Sequence, residues 1–243
     1  MSEQVKNAII MAAGKGTRMK SDLPKVLHKV LGMTMIERDL ENLQRAGAER
    51  IVAIVGYKHE MVEEVLAGCC ETAVQEPQLG TGHAVMQARQ LENEDGLTLV
   101  ANGDCPCVRP ATYAALYDAC ADADMVVLTT EPEDAASYGR VIRNADGTVK
   151  KIVEFKDASD EEKAVREVNT GIYCFNNKAL FAGLKLLKND NAQQEYYITD
   201  LVEILKGQGK VVKAVKTDDN QEVQGINDVQ ELARAEAYLK ERG

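Results

Sequence analysis

Short apolar runs alternate with amphipathic stretches along the first half of the chain. The runs end at glycines or small polar residues, and their length and composition are typical of buried strands. Strands are predicted at residues 8–11, 50–55, 71–75, 97–101 and 125–129. Apolar residues at helical spacing predict helices at residues 35–46, 60–66, 81–90 and 110–121. The alternation predicts an α/β, Rossmann-like fold in which helices cover both faces of a mostly parallel sheet.

The second half of the chain has a different pattern. Residues 140–143 and 149–154 flank an Asn-Ala-Asp-Gly turn, which predicts a β-hairpin. The remaining predictions are a charged helical segment at 157–165, strands at 168–175 and 211–215, and helices at 178–187, 198–206 and 229–240. No repeat or linker separates this half from the first, so we expect a small β subregion folded onto the same sheet.

The bulk composition excludes several classes of protein. The chain has 243 residues, 45% hydrophobic and 28% charged, which suits one large α/β domain. Its formal net charge of −10 disfavours nucleic acid and anionic membranes as partners. No stretch approaches the roughly 20 apolar residues of a membrane span, and the polar residues 1–4 do not resemble a signal peptide. We therefore expect a cytoplasmic protein.

The six cysteines form no recognisable metal or disulfide pattern. None belongs to a Cys-x-x-Cys pair, and no histidine lies at metal-ligand spacing from them. Reduced thiols are therefore expected. Cys105 and Cys107 flank a candidate site, which would confer sensitivity to thiol reagents if those thiols were accessible.

The loop after the first strand combines small residues with cations. Four of its residues lack side-chain bulk, so backbone N–H groups can approach a ligand: Ala12, Ala13, Gly14 and Gly16. Three cations lie in the same loop and at its exit: Lys15, Arg18 and Lys25. A small backbone with clustered cations at a strand end predicts a polyphosphate site.

Two familiar phosphate motifs do not match this loop. A Walker loop requires glycine where Ile9 stands and Ser or Thr where Gly16 stands. The dinucleotide fingerprint requires Gly or Ala three residues after Gly16, where Met19 stands, and this disfavours a dehydrogenase. A basic surface turn without a ligand is the other interpretation.

Asp104 and Asn227 are candidate ligands of Mg²⁺. Asp104 follows an apolar strand, so its carboxylate should project at the strand end. One carboxylate and one amide oxygen suit an ion that also binds substrate phosphates. Asp104 could instead cap a turn or helix, and Asn227 could cap the last helix unless Asp228 does so.

A second glycine-rich turn spans residues 75–84. The amide of Gln75 offers a donor and an acceptor to a pyrimidine edge, and Gly80 allows a close backbone approach. The alternative is an ordinary strand-helix turn capped by Thr81. For His83, packing or capping is favoured over catalysis.

Further candidates lie in the second half. Gly139 permits close backbone approach, and Glu154 and Asn169 carry groups that bind hydroxyls. Each of these signals is weak alone, because ordinary turns contain the same glycines and ordinary surfaces carry the same acidic residues. The segment 196–200 is interpreted as a packed helix start.

The sequence motifs described above follow one another along the chain in the same order as in one known family. The form Gly-x-Gly-Thr-Arg-Met, followed by Pro-Lys, resembles the signature of sugar nucleotidyltransferases. Leu-Gly-Thr-Gly-His-Ala at 79–84 and Glu-Tyr-Tyr-Ile-Thr-Asp at 195–200 narrow the resemblance. Gly-Asp, Tyr-Gly-Arg, Asn-Thr-Gly and Gly-Ile-Asn motifs follow at 103–104, 138–140, 169–171 and 225–227. The chain is similar throughout to the uridyltransferase domain of bacterial N-acetylglucosamine-1-phosphate uridyltransferases.

The resemblance implies transfer of a uridylyl group from UTP to N-acetylglucosamine 1-phosphate, with Mg²⁺ as cofactor and pyrophosphate as second product. It implies catalytic roles for Arg18, Lys25 and Asp104, metal binding by Asp104 and Asn227, and sugar binding by the β subregion. The substrate-binding residues it implies are Met11, Ala12, Ala13, Gly14, Lys25, Gln75, Gly80, Thr81, Asn102, Gly103, Asp104, Gly139, Glu154, Asn169 and Asn227.

The chain departs from the family pattern at three points. Asn102 stands where the best-known members carry an aromatic residue, and Gln224 replaces a commonly acidic residue. The family's usual β-helix acetyltransferase repeats do not occur here. The expected organisation is a nucleotidyltransferase domain at 1–228 and a C-terminal helix at 229–243, in either a truncated or a stand-alone enzyme that can form a homo-oligomer.

Two other functions stay open from the sequence. One is a pyrophosphorylase for another sugar 1-phosphate, such as glucose 1-phosphate. The other is a non-catalytic sensor of nucleotide sugars, disfavoured because binding alone would not require Arg18, Lys25, Asp104 and Asn227 together.

Overall fold

The centre of the molecule is a nine-stranded mixed sheet, which a computed structural model describes within residues 4–135 and 137–242. The nine strands of this sheet are β1 (Lys6–Ala12), β4 (Arg50–Val55), β5 (Glu71–Val74), β6 (Leu97–Asn102), β7 (Met125–Thr130), β8 (Arg140–Arg143), β9 (Val149–Val153), β10 (Val168–Asn176) and β11 (Val212–Lys216), and β2 (Lys29–Val30) and β3 (Met33–Thr34) form a separate two-stranded sheet. The helices are α1 (Met35–Arg45), α2 (His59–Leu66), α3 (Thr81–Met86), α4 (Pro110–Cys120), α5 (Asp160–Lys163), α6 (Asn177–Leu184), α7 (Leu201–Gly207) and α8 (Val229–Arg242).

The sheet order is β11-β7-β10-β6-β1-β4-β5, with β8 paired to β10 and β9 to β8. Adjacent strands β6, β1, β4 and β5 run parallel, and so do β7 and β11. β10 is antiparallel to both of its neighbours, β6 and β7. The predicted mostly parallel α/β fold is confirmed, and the predicted hairpin is β8–β9, antiparallel as expected.

Both faces of the sheet are covered by helices, because the strand residues alternate between two apolar layers. In β1, Ala8 and Ile10 enter one buried cluster and Ile9 enters the other. Helices α1, α2 and α4 pack on the first face, and α3, α6 and α7 on the second. This burial of apolar surface on both sides is the main source of stability for such a sheet.

The strand directions bring distant segments to one edge. The carboxyl ends of the parallel strands β1, β4, β5, β6 and β7 lie at the same edge of the sheet. Because β10 runs the other way, its amino end lies there too, with Asn169 paired to Thr129. Asn102 at the end of β6 pairs with Met11 of β1. Ligands bind at this edge in open α/β sheets.

Several predicted elements have other bounds in the structure. The helix predicted at 81–90 is α3 followed by a 3-10 turn at Arg89–Leu91, since the bonds from Gln87 N to Ala84 O and from Ala88 N to Val85 O have three-residue spacing. The charged segment 157–165 contains only the four-residue α5. The helix predicted at 198–206 starts as a 3-10 turn at Ile198–Asp200.

The hairpin of β2 and β3 was not predicted. Each strand has only two residues, so it has no detectable alternation. Its turn residues Leu31 and Gly32 both have positive φ, at 51° and 87°. Leucine is not a usual residue for such a turn, so the common Asn-Gly signal is missing.

Helix α8 packs on the domain next to this hairpin. Leu232, Ala235 and Leu239 contact a small cluster that contains Val30 and Ile226. No helix of the described residues is long and apolar enough to cross a membrane. The predicted domain boundary at residue 228 stays a prediction, and the residues at its outer ends, 1–3 and 243, lie outside the described part of the chain.

Asn177 joins three segments on one side of the sheet. Its fully buried side chain donates to the carbonyl oxygens of Leu91 and Glu94, both at 2.7 Å, and accepts from the Thr98 hydroxyl at 2.6 Å. Buried polar groups need such partners, because no water replaces them.

We expect Asn177→Ala to lower the free energy of unfolding by about 2–4 kcal/mol, because it leaves two carbonyls and one hydroxyl without their partner. Urea denaturation measures this change. Asn93→Ala is the control, because Asn93 is exposed and no side-chain hydrogen bond links it to another described residue. Equal effects of the two substitutions would contradict the role assigned to Asn177.

Candidate active site

A cavity of about 320 Å³ opens at the carboxyl edge of the sheet, between the first loop and the second glycine-rich turn. The predicted site residues that line it are Met11, Ala13, Gly14, Gln75, Gly80, Thr81 and Asn102. Gln78, Ala84 and Glu195 also line it and were not predicted as site residues, although Gln78 and Ala84 lie in the glycine-rich turn at 75–84 and Glu195 begins the motif at 195–200. A larger cavity of about 650 Å³ beside α8 contains no predicted site residue.

Ala12 and Gly103 lie beside this cavity without lining it. The Ala12 side chain belongs to the core. Gly103 donates its backbone N–H to Met11 O at 2.9 Å, and a Cβ on Gly103 would lie 3.2 Å from Ala12 Cβ. Both residues therefore hold β1 and β6 close together where the site begins.

The second glycine-rich turn packs directly against the segment at 195–198. Gly80 has a φ of +105°, and a Cβ on it would lie 2.7 Å from Tyr196 O. Gly82 donates its N–H to that same oxygen at 2.7 Å. Thr81 does not cap α3: the N-cap is Gly80, and the Thr81 hydroxyl accepts from Ile198 N at 3.1 Å. The two motifs thus form one wall of the cavity.

Gln75 is buried at the base of this wall, with 4% of its surface exposed. Its Nε2 donates to Gly80 O at 3.0 Å and lies 3.1 Å from Nδ1 of His83. Burial lowers the pKa of His83, so the neutral imidazole is favoured. His83 therefore contacts a predicted base-binding side chain directly, a role that the sequence did not indicate.

Lys25 connects the two predicted metal ligands. Its Nζ pairs with Asp104 Oδ2 in a very short contact and lies 3.1 Å from Asn227 Oδ1. The Lys25 and Asp104 side chains are only 14% and 21% exposed, so solvent screens this pair weakly. Gly16, with a φ of +64°, makes room for it, because a Cβ there would collide with Lys25 Cβ.

Asn227 is free to join this contact because Asp228 caps α8. Asp228 Oδ1 accepts from the backbone N–H groups of Gln230 and Glu231 at 2.9 and 2.8 Å. The Asn227 amide instead donates to Gly225 O at 3.1 Å and directs Oδ1 to Lys25. The alternative in which Asn227 caps the last helix is wrong.

The oxygens of Asp104 and Asn227 fit a hard divalent cation. They converge on one positively charged group, the Lys25 ammonium, and therefore on a point that accommodates a cation. Within the described residues no group of three His, Cys, Asp or Glu could hold a metal. A donor set of one carboxylate and one amide is typical of Mg²⁺ that takes further ligands from phosphates and water.

Arg18 is an exposed cation in the same loop, on the 3-10 turn Thr17–Met19. No described residue forms a hydrogen bond or an ion pair with its side chain. Burial raises the pKa of Tyr138 to about 12, and the positive charge of Arg18 opposes that rise. Lys15 differs, because its ammonium lies 5.3 Å from the centre of the Tyr57 ring. Arg18 is therefore available to an anionic ligand.

Gly139, Glu154 and Asn169 adjoin one another at the β8–β10 side of the edge. A Cβ on Gly139 would lie 3.3 Å from Glu154 Oε2, and Asn169 N donates to Gly139 O at 2.9 Å. Burial raises the pKa of Glu154, and the Thr199 hydroxyl, donating at 3.1 Å, opposes that rise. Asn169 donates to the Tyr173 hydroxyl at 2.6 Å, so its amide has a fixed orientation.

Asn102 fills the gap between the two halves of the site. Its Nδ2 donates to Thr170 O at 3.1 Å. A Cβ on Gly171, where φ is +79°, would lie 2.7 Å from that nitrogen. The residue that departs from the family pattern therefore joins the end of β6 to β10.

The thiols near Asp104 are buried. Burial raises the pKa of Cys105, and the pKa of Cys107 rises to about 12 for the same reason. Burial therefore disfavours the thiolate, the form that reacts with thiol reagents, at both positions. Asp39, which the sequence did not indicate, is also fully buried there, and burial followed by the charge of Asp104 raises its pKa.

The fold and this edge define a nucleotidyl transferase. The family model described as nucleotidyl transferase matches residues 7–233, and the chain belongs to that family. A solved nucleotidyl transferase from Methanothermobacter thermautotroptrophicus has the same fold, with a TM-score of 0.67 at 19% identity over 99% of this chain and 100% of that one.

Closer relatives carry the name bifunctional protein GlmU. The chain is 50% identical to the protein of Limosilactobacillus fermentum over 240 aligned residues. The aligned region covers 98% of this chain and 53% of that protein. The chain is 48% identical over 238 residues to the protein of Geobacillus thermodenitrificans, with 97% and 52% covered. The chain spans about half the length of these curated relatives.

Asp200, in the segment that forms the cavity wall, gives the protein a pH-dependent stability. Burial, followed by the charges of Glu203 and Asp157, raises its pKa to about 6. This lies above the unfolded value of about 3.9. The protonated carboxyl therefore contributes stability that is present below about pH 4 and is lost as the pH rises through 6.

We expect Asp200→Asn to raise the melting temperature at pH 7.5 by about 2–4 °C. This corresponds to about 1 kcal/mol after a discount for the half-exposed side chain. The difference should disappear at pH 4, where Asp200 is neutral. Thermal melts of both proteins from pH 4 to 8 test this, with Asp118→Asn, an exposed site on α4, as control. A constant difference at all pH values would contradict it.

Proposed function

We propose that this chain transfers the uridylyl group of UTP to N-acetylglucosamine 1-phosphate, with release of pyrophosphate. The observation that carries the proposal is the convergence of Asp104 and Asn227 on Lys25, next to a cavity lined by the small-residue loop and Gln75. The similarity to proteins named bifunctional GlmU over nearly the whole chain supports the substrates.

In this proposal the nucleotide occupies the cavity at the carboxyl edge. The backbone of residues 11–14 approaches the ribose and phosphates closely, because Ala12, Ala13 and Gly14 have little or no side chain. Gln75 and the backbone of Gly80 bind the uracil edge. Thr81 lies beside them in the same wall.

The sugar phosphate is proposed to bind on the β10 side of the edge. Gly139 offers its backbone, and Glu154 and Asn169 offer a carboxylate and an amide for sugar hydroxyls. Asn102 and Gly103 lie between the two sites, where the two phosphates would meet. Asn169, Asn102 and Glu154 already hold hydrogen bonds that fix their side chains.

The reaction requires little acid–base chemistry. An oxygen of the sugar phosphate, already an anion, attacks the α-phosphorus of UTP, and the bond from that phosphorus to the pyrophosphate oxygen breaks. The barrier comes from repulsion between two polyanions and from charge on the leaving pyrophosphate. Lys25 and Arg18 stabilise that charge, and Asp104 and Asn227 would hold Mg²⁺, which neutralises phosphate oxygens.

We expect turnover of UTP with N-acetylglucosamine 1-phosphate and Mg²⁺, followed as pyrophosphate release against a panel of sugar 1-phosphates. Asp104→Asn should lower kcat about 10²–10³-fold, because it removes the charge that the cation requires. EDTA should abolish the activity and Mg²⁺ should restore it. The absence of turnover with any sugar 1-phosphate would exclude the proposed enzymatic activity. Turnover with glucose 1-phosphate alone would exclude only N-acetylglucosamine 1-phosphate as the acceptor.

We expect Arg18→Gln to lower kcat about 100-fold or more while the melting temperature stays unchanged. Arg18 has no described partner to lose, so the effect should fall on the reaction alone. Lys20→Gln is the matched control, because Lys20 is an exposed cation two residues further along. Similar kinetic losses in both variants would indicate only a general effect of charge.

A further inference from the structure

The imidazole of His83 lies between two side-chain amides. Gln75 Nε2 is 3.1 Å from its Nδ1, and Gln87 Nε2 is 3.2 Å from its Nε2. The Tyr196 ring adjoins the imidazole, with the two ring centres 6.3 Å apart. A neutral imidazole accepts a hydrogen bond at only one of its nitrogens.

Backbone carbonyls determine which end of each amide faces the ring. Gln75 Nε2 lies 3.0 Å from Gly80 O, and Gln87 Nε2 lies 2.9 Å from His83 O. A carbonyl oxygen only accepts, so both amides direct their NH₂ groups toward this region. The Gly80 carbonyl is itself held, because it accepts from Ala84 N at 3.0 Å. The orientation of Gln75 is therefore determined by the turn.

The more deeply buried of the two amides is expected to donate to the unprotonated nitrogen of the imidazole. Gln75 is 4% exposed, whereas Gln87 is only partly buried and can exchange its contact for water. A buried N–H without a partner costs more free energy than an exposed one. Nδ1 of His83 is thus the acceptor for Gln75, and its Nε2 carries the proton.

This arrangement uses both N–H protons of the Gln75 amide, one on Gly80 O and one on His83 Nδ1. The group that remains for a ligand is Oε1, to which no described residue donates. Oε1 accepts only. Uracil presents N3–H as a donor at its pairing edge, whereas cytosine presents N3 as an acceptor.

We propose that His83 is a positioning residue that makes the cavity select uracil over cytosine. It does so by accepting from Gln75, so that the glutamine cannot present an N–H group to the base. This inference rests on the proposed use of UTP and extends it to the basis of nucleotide choice. His83 acts through Gln75 and does not touch the reacting phosphates.

Nucleotide binding tests the inference without relying on catalysis. Calorimetry gives the ratio of the Kd of CTP to that of UTP for the wild type and three variants. His83→Leu removes the acceptor, His83→Asn keeps an acceptor oxygen at the position of Nδ1, and Gln87→Leu removes only the other amide. Thermal melts establish that each variant is folded, and turnover with each nucleotide is measured in parallel.

We expect the wild type to prefer UTP by about 100-fold or more. His83→Leu should reduce that preference at least about tenfold, mainly by weakening UTP binding. His83→Asn and Gln87→Leu should keep it within about threefold of the wild type. The pair of His83 variants separates a role in positioning from a role in folding, because both shorten the side chain.

Three results would overturn the inference. They are a wild type without preference, an unchanged preference in His83→Leu, and a loss confined to Gln87→Leu, which would reverse the assignment of the imidazole proton. A protein that prefers UTP in binding and loses that preference in His83→Leu, but releases no pyrophosphate, would overturn the proposed function and leave the role of His83 supported.

Discussion

The contact of Lys25 with Asp104 and Asn227 is the interaction on which the site depends. It joins an early loop, the end of β6 and the segment before α8, at sequence separations of 79 and 202 residues. Two oxygens that converge in a weakly solvated position lose contacts with water. A cation between them compensates for the free-energy cost of that desolvation. Gly16 and Asp228 serve this contact indirectly, the first by leaving room for Lys25 and the second by capping α8 in place of Asn227.

The reversed direction of β10 gives the edge its second half. A wholly parallel sheet would turn the amino end of this strand, with Asn169 and Gly171, to the opposite edge. Because β10 lies antiparallel between β6 and β7, these residues join Asn102 instead. The proposed nucleotide side is therefore built mainly from the first hundred residues, and the proposed acceptor side from the hairpin and β10.

Most of the fold follows from local sequence patterns, whereas parts of the site do not. Buried apolar runs predict strands, but they carry no information on strand direction, so the reversal of β10 was not predicted. The alternative in which Thr81 caps α3 is wrong, because Gly80 takes that position and the backbone N–H of Ile198 donates to the Thr81 hydroxyl. The contact of His83 with Gln75 depends on side-chain orientation across a turn, which neither residue type nor spacing reveals. Asn227 could be predicted as a candidate metal ligand, because the adjacent Asp228 could cap the last helix in its place.

The separation of 202 residues between Lys25 and Asn227 also has a consequence for synthesis on the ribosome. At ordinary elongation rates the two residues are made about 10–40 s apart. The central strands can pair during that interval, but Asn227, which supplies the last oxygen of this contact, has not yet been made. A nascent chain with a nearly complete sheet therefore still lacks the charge network, which forms only when translation of this region is almost finished.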